Sequence, residues 1–191
     1  SKSVAIGRSA LFTQNFTTAT NSYNVAVGHS TGEAITTGRQ NTLMGGVAGD
    51  ALTDADENVA IGYAALSTDT LGSKSTAIGF AALNGQNFTT ATDSFNTAVG
   101  HSAGLSVTYG DANTLIGGLA GDAITTGAKN VALGKNSLGA NTAGNKAVAI
   151  GTDALATQNI TADGDSFNVA VGYQAGNSVT TGINNTLIGG G

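Results

Sequence analysis

A parallel β-solenoid of the all-β class is the fold this sequence predicts, and three observations predict it. A glycine closes a short apolar phrase at every seventeenth position, as at Gly28, Gly45 and Gly62, with a periodic longer step of twenty-one, as from Gly79 to Gly100. The residue before that glycine is always aliphatic or Met. The 191-residue chain holds 29 Gly, no Pro and no Cys. A repeat this short cannot bury a core alone and must stack on its neighbours.

The closing glycines are Gly7, Gly28, Gly45, Gly62, Gly79, Gly100, Gly117, Gly134, Gly151, Gly172 and Gly189. Every fourth step is expanded, which gives a superperiod of seventy-two positions that Gly7, Gly79 and Gly151 mark. The near-identical phrases QNFTTATNSYNVAVGHS and QNFTTATDSFNTAVGHS are one superperiod apart. Residues 1–191 read as one continuous array of about eleven coils, a window from a longer fibre. The expansions lie near 11–24, 83–96 and 155–168.

A leading Asn recurs at 24, 41, 58, 96, 113, 130, 168 and 185. Asn tolerates the left-handed conformation, and stacked Asn side chains can bond from coil to coil. A short β phrase follows, with period-2 patterning and β-branched bias. Its last residue is expected to fill the core: Ile6, Val27, Met44, Ile61, Ile78, Val99, Ile116, Leu133, Ile150, Val171 and Ile188. Gly then turns the corner. A second phrase, such as Ala34-Ile-Thr-Thr-Gly38, predicts a second short strand. The middle residue of the first phrase is Ala or Leu, so both strand faces are apolar. A thin coil can cover only one of them. The economical cover for the other is a second copy, which predicts a homo-oligomer with the symmetry axis along the rod. Leu replaces Ala only in NTLMGG and NTLIGG units, where the added Gly is expected to make room.

Composition narrows the partners. Seven scattered Lys and Arg with a net charge of −5 provide no basic stripe for nucleic acid. No apolar run is long enough to span a bilayer, so no helical membrane insertion is expected. The absence of Cys removes disulfides and thiolate metal sites from this stretch.

The phrases SVAIG, NVAIG, STAIG and AVAIG resemble the head repeats of trimeric autotransporter adhesins. The longer phrase NTLIGGLAGDAITTGAKNVALG is similar to repeats of phage tail fibres and related bacterial surface proteins. The resemblance spans essentially the whole chain. It implies a left-handed β-roll wound as a homotrimeric fibre, although the usual adhesin coil is shorter than the unit counted here.

No enzyme is expected. His29 and His101 occupy equivalent positions one superperiod apart, and Tyr173 takes the third. A duplicated and then replaced histidine reads as a surface column, with ligand contact as the alternative. No cofactor is expected. Asp54, Asp56, Asp163 and Asp165 are weak candidates for a structural Ca²⁺ site, since oxygen-rich loops suit that ion. Asp163 and Asp165 become Ala91 and Asp93 one superperiod earlier, which favours solvated turns. The expansions carry Phe16 and Tyr23, Phe88 and Phe95, and Ile160 and Phe167. With His29, His101 and Tyr173 these are the candidates for receptor contact, against the plainer reading that they plug a bulge or clamp a neighbouring chain.

The expected function is an extracellular structural fibre that contacts a host-surface glycan or protein, most simply a virion tail fibre. The head of a bacterial trimeric surface adhesin uses the same architecture. An ice-binding solenoid would need a regular Thr lattice, and the pairs at 36–37, 125–126 and 180–181 are interrupted at Ser67–Leu71 and Ser137–Ala140. A polysaccharide-degrading tailspike would need a pair of carboxylates that nothing here singles out.

Overall fold

The structure, a computed structural model, describes residues 2–191. Among these residues there are fifteen short strands and no helix. In chain order they are β1 (Val4–Ile6), β2 (Val25–Val27), β3 (Thr42–Met44), β4 (Val59–Ile61), β5 (Gly72–Ser73), β6 (Thr76–Ile78), β7 (Thr92–Asp93) and β8 (Thr97–Val99). Then come β9 (Thr114–Ile116), β10 (Val131–Leu133), β11 (Gly144–Asn145), β12 (Val148–Ile150), β13 (Gly164–Asp165), β14 (Val169–Val171) and β15 (Thr186–Ile188). The longer strands form one parallel 11-stranded sheet in the order β1-β2-β3-β4-β6-β8-β9-β10-β12-β14-β15. Each pairs in register with its counterpart one turn of chain later, as in Thr114↔Val131, Leu115↔Ala132 and Ile116↔Leu133. The chain is a β-solenoid of eleven coils, coil 1 carrying β1 and coil 11 carrying β15. At about 4.8 Å per coil the rod is roughly 50 Å long.

Between the two end coils the interior is lined by the middle residue of each strand of the 11-stranded sheet. Ala26, Leu43, Ala60, Ala98, Leu115 and Ala132 are fully buried. This reverses the face expected from the sequence. Ile6, Met44, Leu133 and Ile188 are exposed on the outer face. Val27, Ile61, Ile78, Val99, Ile116, Ile150 and Val171 are only half-buried there. Asn sits two positions before the middle residue, so the two share a face. Asn is the residue that needs the interior.

Its bonds show why. Asn24 is buried, its Nδ2 donates to Gly38 O at 2.7 Å, and its Oδ1 accepts from Asn41 N–H at 2.9 Å. Asn41 repeats the pattern on Ala55 O and Asn58 N. Each buried amide therefore ties separate stretches of backbone together, as the sequence predicted for stacked Asn. The ladder stops at Ser75 and Ala147, which precede the second and third expansions. Ser75 bonds Ser94 Oγ instead, at 2.5 Å.

Side-chain volume is conserved from coil to coil. Where the strand carries Leu, the turn facing it carries Gly. A methyl on Gly104 or Gly121 would lie 2.8 Å from Leu115, and one on Gly32 would lie 2.8 Å from Leu43. The room for these leucines thus comes from glycines across the interior, and Gly46 and Gly118, expected to make it, lie outside. Where the strand carries Ala, Leu66, Leu83, Leu138 and Leu155 fill the space from that opposite side.

The corner glycines have a different cause. Gly45 has φ +130, and a Cβ there would meet Gly62 O at 2.5 Å. The same close approach recurs at every corner from Gly7 to Gly172, with φ between +129 and +144. A side chain at these positions would strike the next coil.

The second predicted strand is not one. Residues 34–38 form turns and bends. Ile35 is fully buried, and coil-to-coil bonds continue, as from Thr36 N to Thr53 O at 3.0 Å. The second and third expansions instead allow short pairings, β5 with β7 and β11 with β13.

Candidate interaction surface

The outer face of the 11-stranded sheet is a largely apolar stripe. Each rung presents Val or Thr first, then Ile, Val, Met or Leu. With a strand about 10 Å wide and a rod of roughly 50 Å, the stripe covers about 500 Å². A patch of that size lies within the range of the largest apolar patch on a monomer, which is often functional.

Two columns of side chains run along its edges. The leading column precedes the inward Asn or its replacement. It includes Tyr23, Gln40, Glu57, Lys74, Phe95, Ala112, Lys129, Lys146, Phe167 and Asn184, all with φ between +48 and +62. The left-handed conformation turns the chain from the outside into the strand and leaves the side chain projecting. Tyr23, Phe95 and Phe167 are exposed, and the ammonium groups of Lys2, Lys74 and Lys146 lie 5.5, 5.4 and 5.1 Å from their ring centroids. Lys74 and Lys146 also pair with Asp93 and Asp165, each at 2.6 Å. The Asp93 partnership raises the Lys74 pKa.

The trailing column follows the corner Gly: Arg8, His29, Gly46, Tyr63, Phe80, His101, Gly118, Lys135, Thr152, Tyr173 and Gly190. Tyr63, Phe80 and His101 form a stack with centroid separations of 5.6 and 5.1 Å. Arg8 donates to Nε2 of His29. Tyr173 is exposed. Gly118 is open, with no atom within 4 Å of where a Cβ would stand.

The expansion residues divide into two kinds. Phe88 is buried, edge-on to Tyr109 at 6.3 Å and packed under Gly72, so it plugs the expansion and is withdrawn as a receptor contact. Ile160 folds in the same way beneath Gly144. Phe16 is half-buried. Shallow depressions remain outside the first and third expansions, of about 310 Å³ at Gln14–Thr20 and about 380 Å³ at Asn159–Asp165.

The four candidate cation ligands have other partners. Asp54 accepts from Thr37 at 2.6 Å, Asp56 pairs with Arg39 at 2.9 Å, Asp163 accepts from Asn145 at 2.7 Å, and Asp165 pairs with Lys146. Among the described residues no three His, Cys, Asp or Glu side chains converge.

One carboxylate that sequence reasoning missed lies inside the solenoid. Asp69 is fully buried, and its oxygens accept from Gly72 N at 3.1 Å, Phe88 N at 2.9 Å and Gln86 Nε2 at 2.5 Å. Burial pushes its pKa up against the pull of these bonds. One superperiod on, Asn141 and Gln158 stand in its place and that of Gln86, and Gln158 Nε2 has no partner among the described residues. Alignment of the superperiods carries the signal for this pair.

No protein-family model matches the chain, and comparison with curated proteins and with solved structures returns no match.

Proposed function

We propose that the chain is the shaft of a homotrimeric extracellular fibre, a structural segment of a tail-fibre type attachment apparatus, with no catalytic role and no required cofactor. The observation that carries this reading is the apolar outer face of the sheet. Its residues alternate strictly with the buried interior, yet no described segment of the chain covers them. Three copies placed face-in around one axis would bury the stripe along its whole length, and the left-handed winding of the resembling families suits such a bundle. Ile6, Val27, Met44 and their equivalents in the other coils become the trimer core.

Contact with a host glycan or protein fits the depressions outside the first and third expansions, which lie eight coils apart along the rod. A bacterial adhesin head would use the same shaft, and the natural anchor separates the two. The threonine columns weigh against an ice-binding role. The hydroxyls of Thr53, Thr108 and Thr125 each donate to a carbonyl of the next coil at 3.1 Å and are not presented to ice.

Light scattering coupled to size exclusion tests the proposal. The expected mass is three times the 18.6 kDa of one chain, with a β-type circular dichroism spectrum for the same peak. A folded monomer overturns it.

A further inference from the structure

We infer that the two edge columns of the sheet are the two halves of one subunit seam, in which the leading column of one copy packs rung by rung against the trailing column of the next. The inference rests on the trimer proposed above and names the contacts that would close it.

Geometry brings the columns together. Sheets pack about 10 Å apart, so each sheet lies about 5 Å from a three-fold axis. Three sheets at that distance enclose a triangle with sides of about 17 Å, and its corners lie about 9 Å from each strand centre. The edge residues stand three positions either side of the middle residue, about 10 Å away at about 3.3 Å per position. They therefore fall at the corners, where neighbouring copies meet. Rotational symmetry without translation keeps the copies at one height. The rise of a coil between its two edge residues is under half the pitch of about 4.8 Å. The nearest partner of each leading residue is thus the trailing residue of the same coil number.

The sequence matches that pairing. Coils 2, 6 and 10 set Tyr23 opposite His29, Phe95 opposite His101, and Phe167 opposite Tyr173, rings on both sides. Coil 7 sets Ala112 opposite Gly118, and coil 3 sets Gln40 opposite Gly46. Within one chain the aromatic stacking runs along the trailing column and not across the strand. Each ring of the leading column, at coils 2, 6 and 10, thus faces a ring of the trailing column, whereas Tyr63 and Phe80 at coils 4 and 5 face Glu57 and Lys74. Like charges face each other only at coil 1, Lys2 with Arg8, and coil 8, Lys129 with Lys135. Under this assignment Tyr23, Phe95 and Phe167 clamp subunits, and receptor contact is left to the expansion tips.

The absence of Cys makes the test direct. Ala112→Cys and Gly118→Cys are introduced together in the full chain and oxidised with copper phenanthroline. Ala112 already holds a side chain at φ 54, and Gly118 is open, so both replacements fit. The expected result is a covalent trimer on a non-reducing denaturing gel, at least tenfold above the yield of either single variant. Pairing Ala112→Cys with Thr152→Cys, two coils away, should give no covalent trimer. Light scattering on the reduced protein runs in parallel. A trimer that does not cross-link at 112/118, or cross-links equally at 112/152, overturns the seam and leaves the trimer standing. A monomer overturns both.

Discussion

Leu115 offers the sharpest test of the conserved interior volume. It is fully buried, and its two methyls occupy the space above Gly104 and Gly121. Truncation to Ala leaves a cavity that the stiff backbone ladders on either side cannot close, at a cost of about 3–5 kcal/mol. For a chain of this length that lowers the melting temperature by about 6–20 °C. Gly121→Ala alone should also destabilise, by about 1–3 kcal/mol, because its Cβ would lie 2.8 Å from both Leu115 and Ile124. Its left-handed backbone adds a strain that is the same in the single and the double variant and cancels in their comparison. Gly121 has φ +55, and the equivalent Leu66 and Leu138 have φ 53 and 52. The double variant Leu115→Ala/Gly121→Ala places the new methyl in the vacated space. Thermal unfolding followed by circular dichroism, at one protomer concentration, should therefore show a favourable coupling of about 1 kcal/mol or more. Additivity within about 0.5 kcal/mol would refute the volume argument.

Three further outcomes follow from the same structure. Gly100→Ala should cost about 3 kcal/mol or more, since its Cβ would meet Gly117 O at 2.5 Å on a backbone of φ +142; an unchanged melting temperature would refute the corner geometry. Ala132→Asp buries an unpaired charge inside the coil and should abolish the β spectrum, whereas Ile116→Asp charges only the outer face and should abolish the three-chain mass. A trimeric mass for Ile116→Asp would show that the stripe is not the interface. Asp69→Asn tests the buried carboxyl. Because its folded pKa is raised, its contribution to stability is fully present below the ordinary 3.8 and lost as pH rises through the folded value. Asp50 and Asp122 shift in the same direction, so each pH needs its own wild-type comparison. The stability of the variant relative to wild type should fall as the pH is lowered, and a constant difference would place Asp69 in water.

Much of the fold was legible because each coil poses the same local problem. A corner that approaches the next backbone excludes every side chain, so Gly recurs at fixed spacing and the period can be counted. Stacked Asn amides bond backbone one coil away, so they recur too. What alternation does not supply is its phase. VAI reads equally well with Ala or with the flanking pair inside, and size suggested the larger residues. The phase is set by Asn, because the amide that bonds backbone on either side of it must be buried, and parity then carries Ala and Leu inward with it.

The other misses have related causes. Residues 34–38 alternate like a strand, but their work is to turn the chain around a narrow interior, and Ile35 is held there by burial rather than by sheet pairing. Phe88 and Phe95 look alike in sequence. One lies within the expansion and folds under Gly72, and the other stands at the left-handed position before Asn, which forces it outward. The superperiod distinguishes them, because Phe88 aligns with Ile160, which only a packing role tolerates, and Phe95 aligns with Tyr23 and Phe167, which keep a ring above a lysine each time. Substitution within the array thus separates side chains that fill space from those that must present an aromatic face. By that criterion the edge columns, and not the plugged bulges, hold the contacts on which the proposed assembly turns.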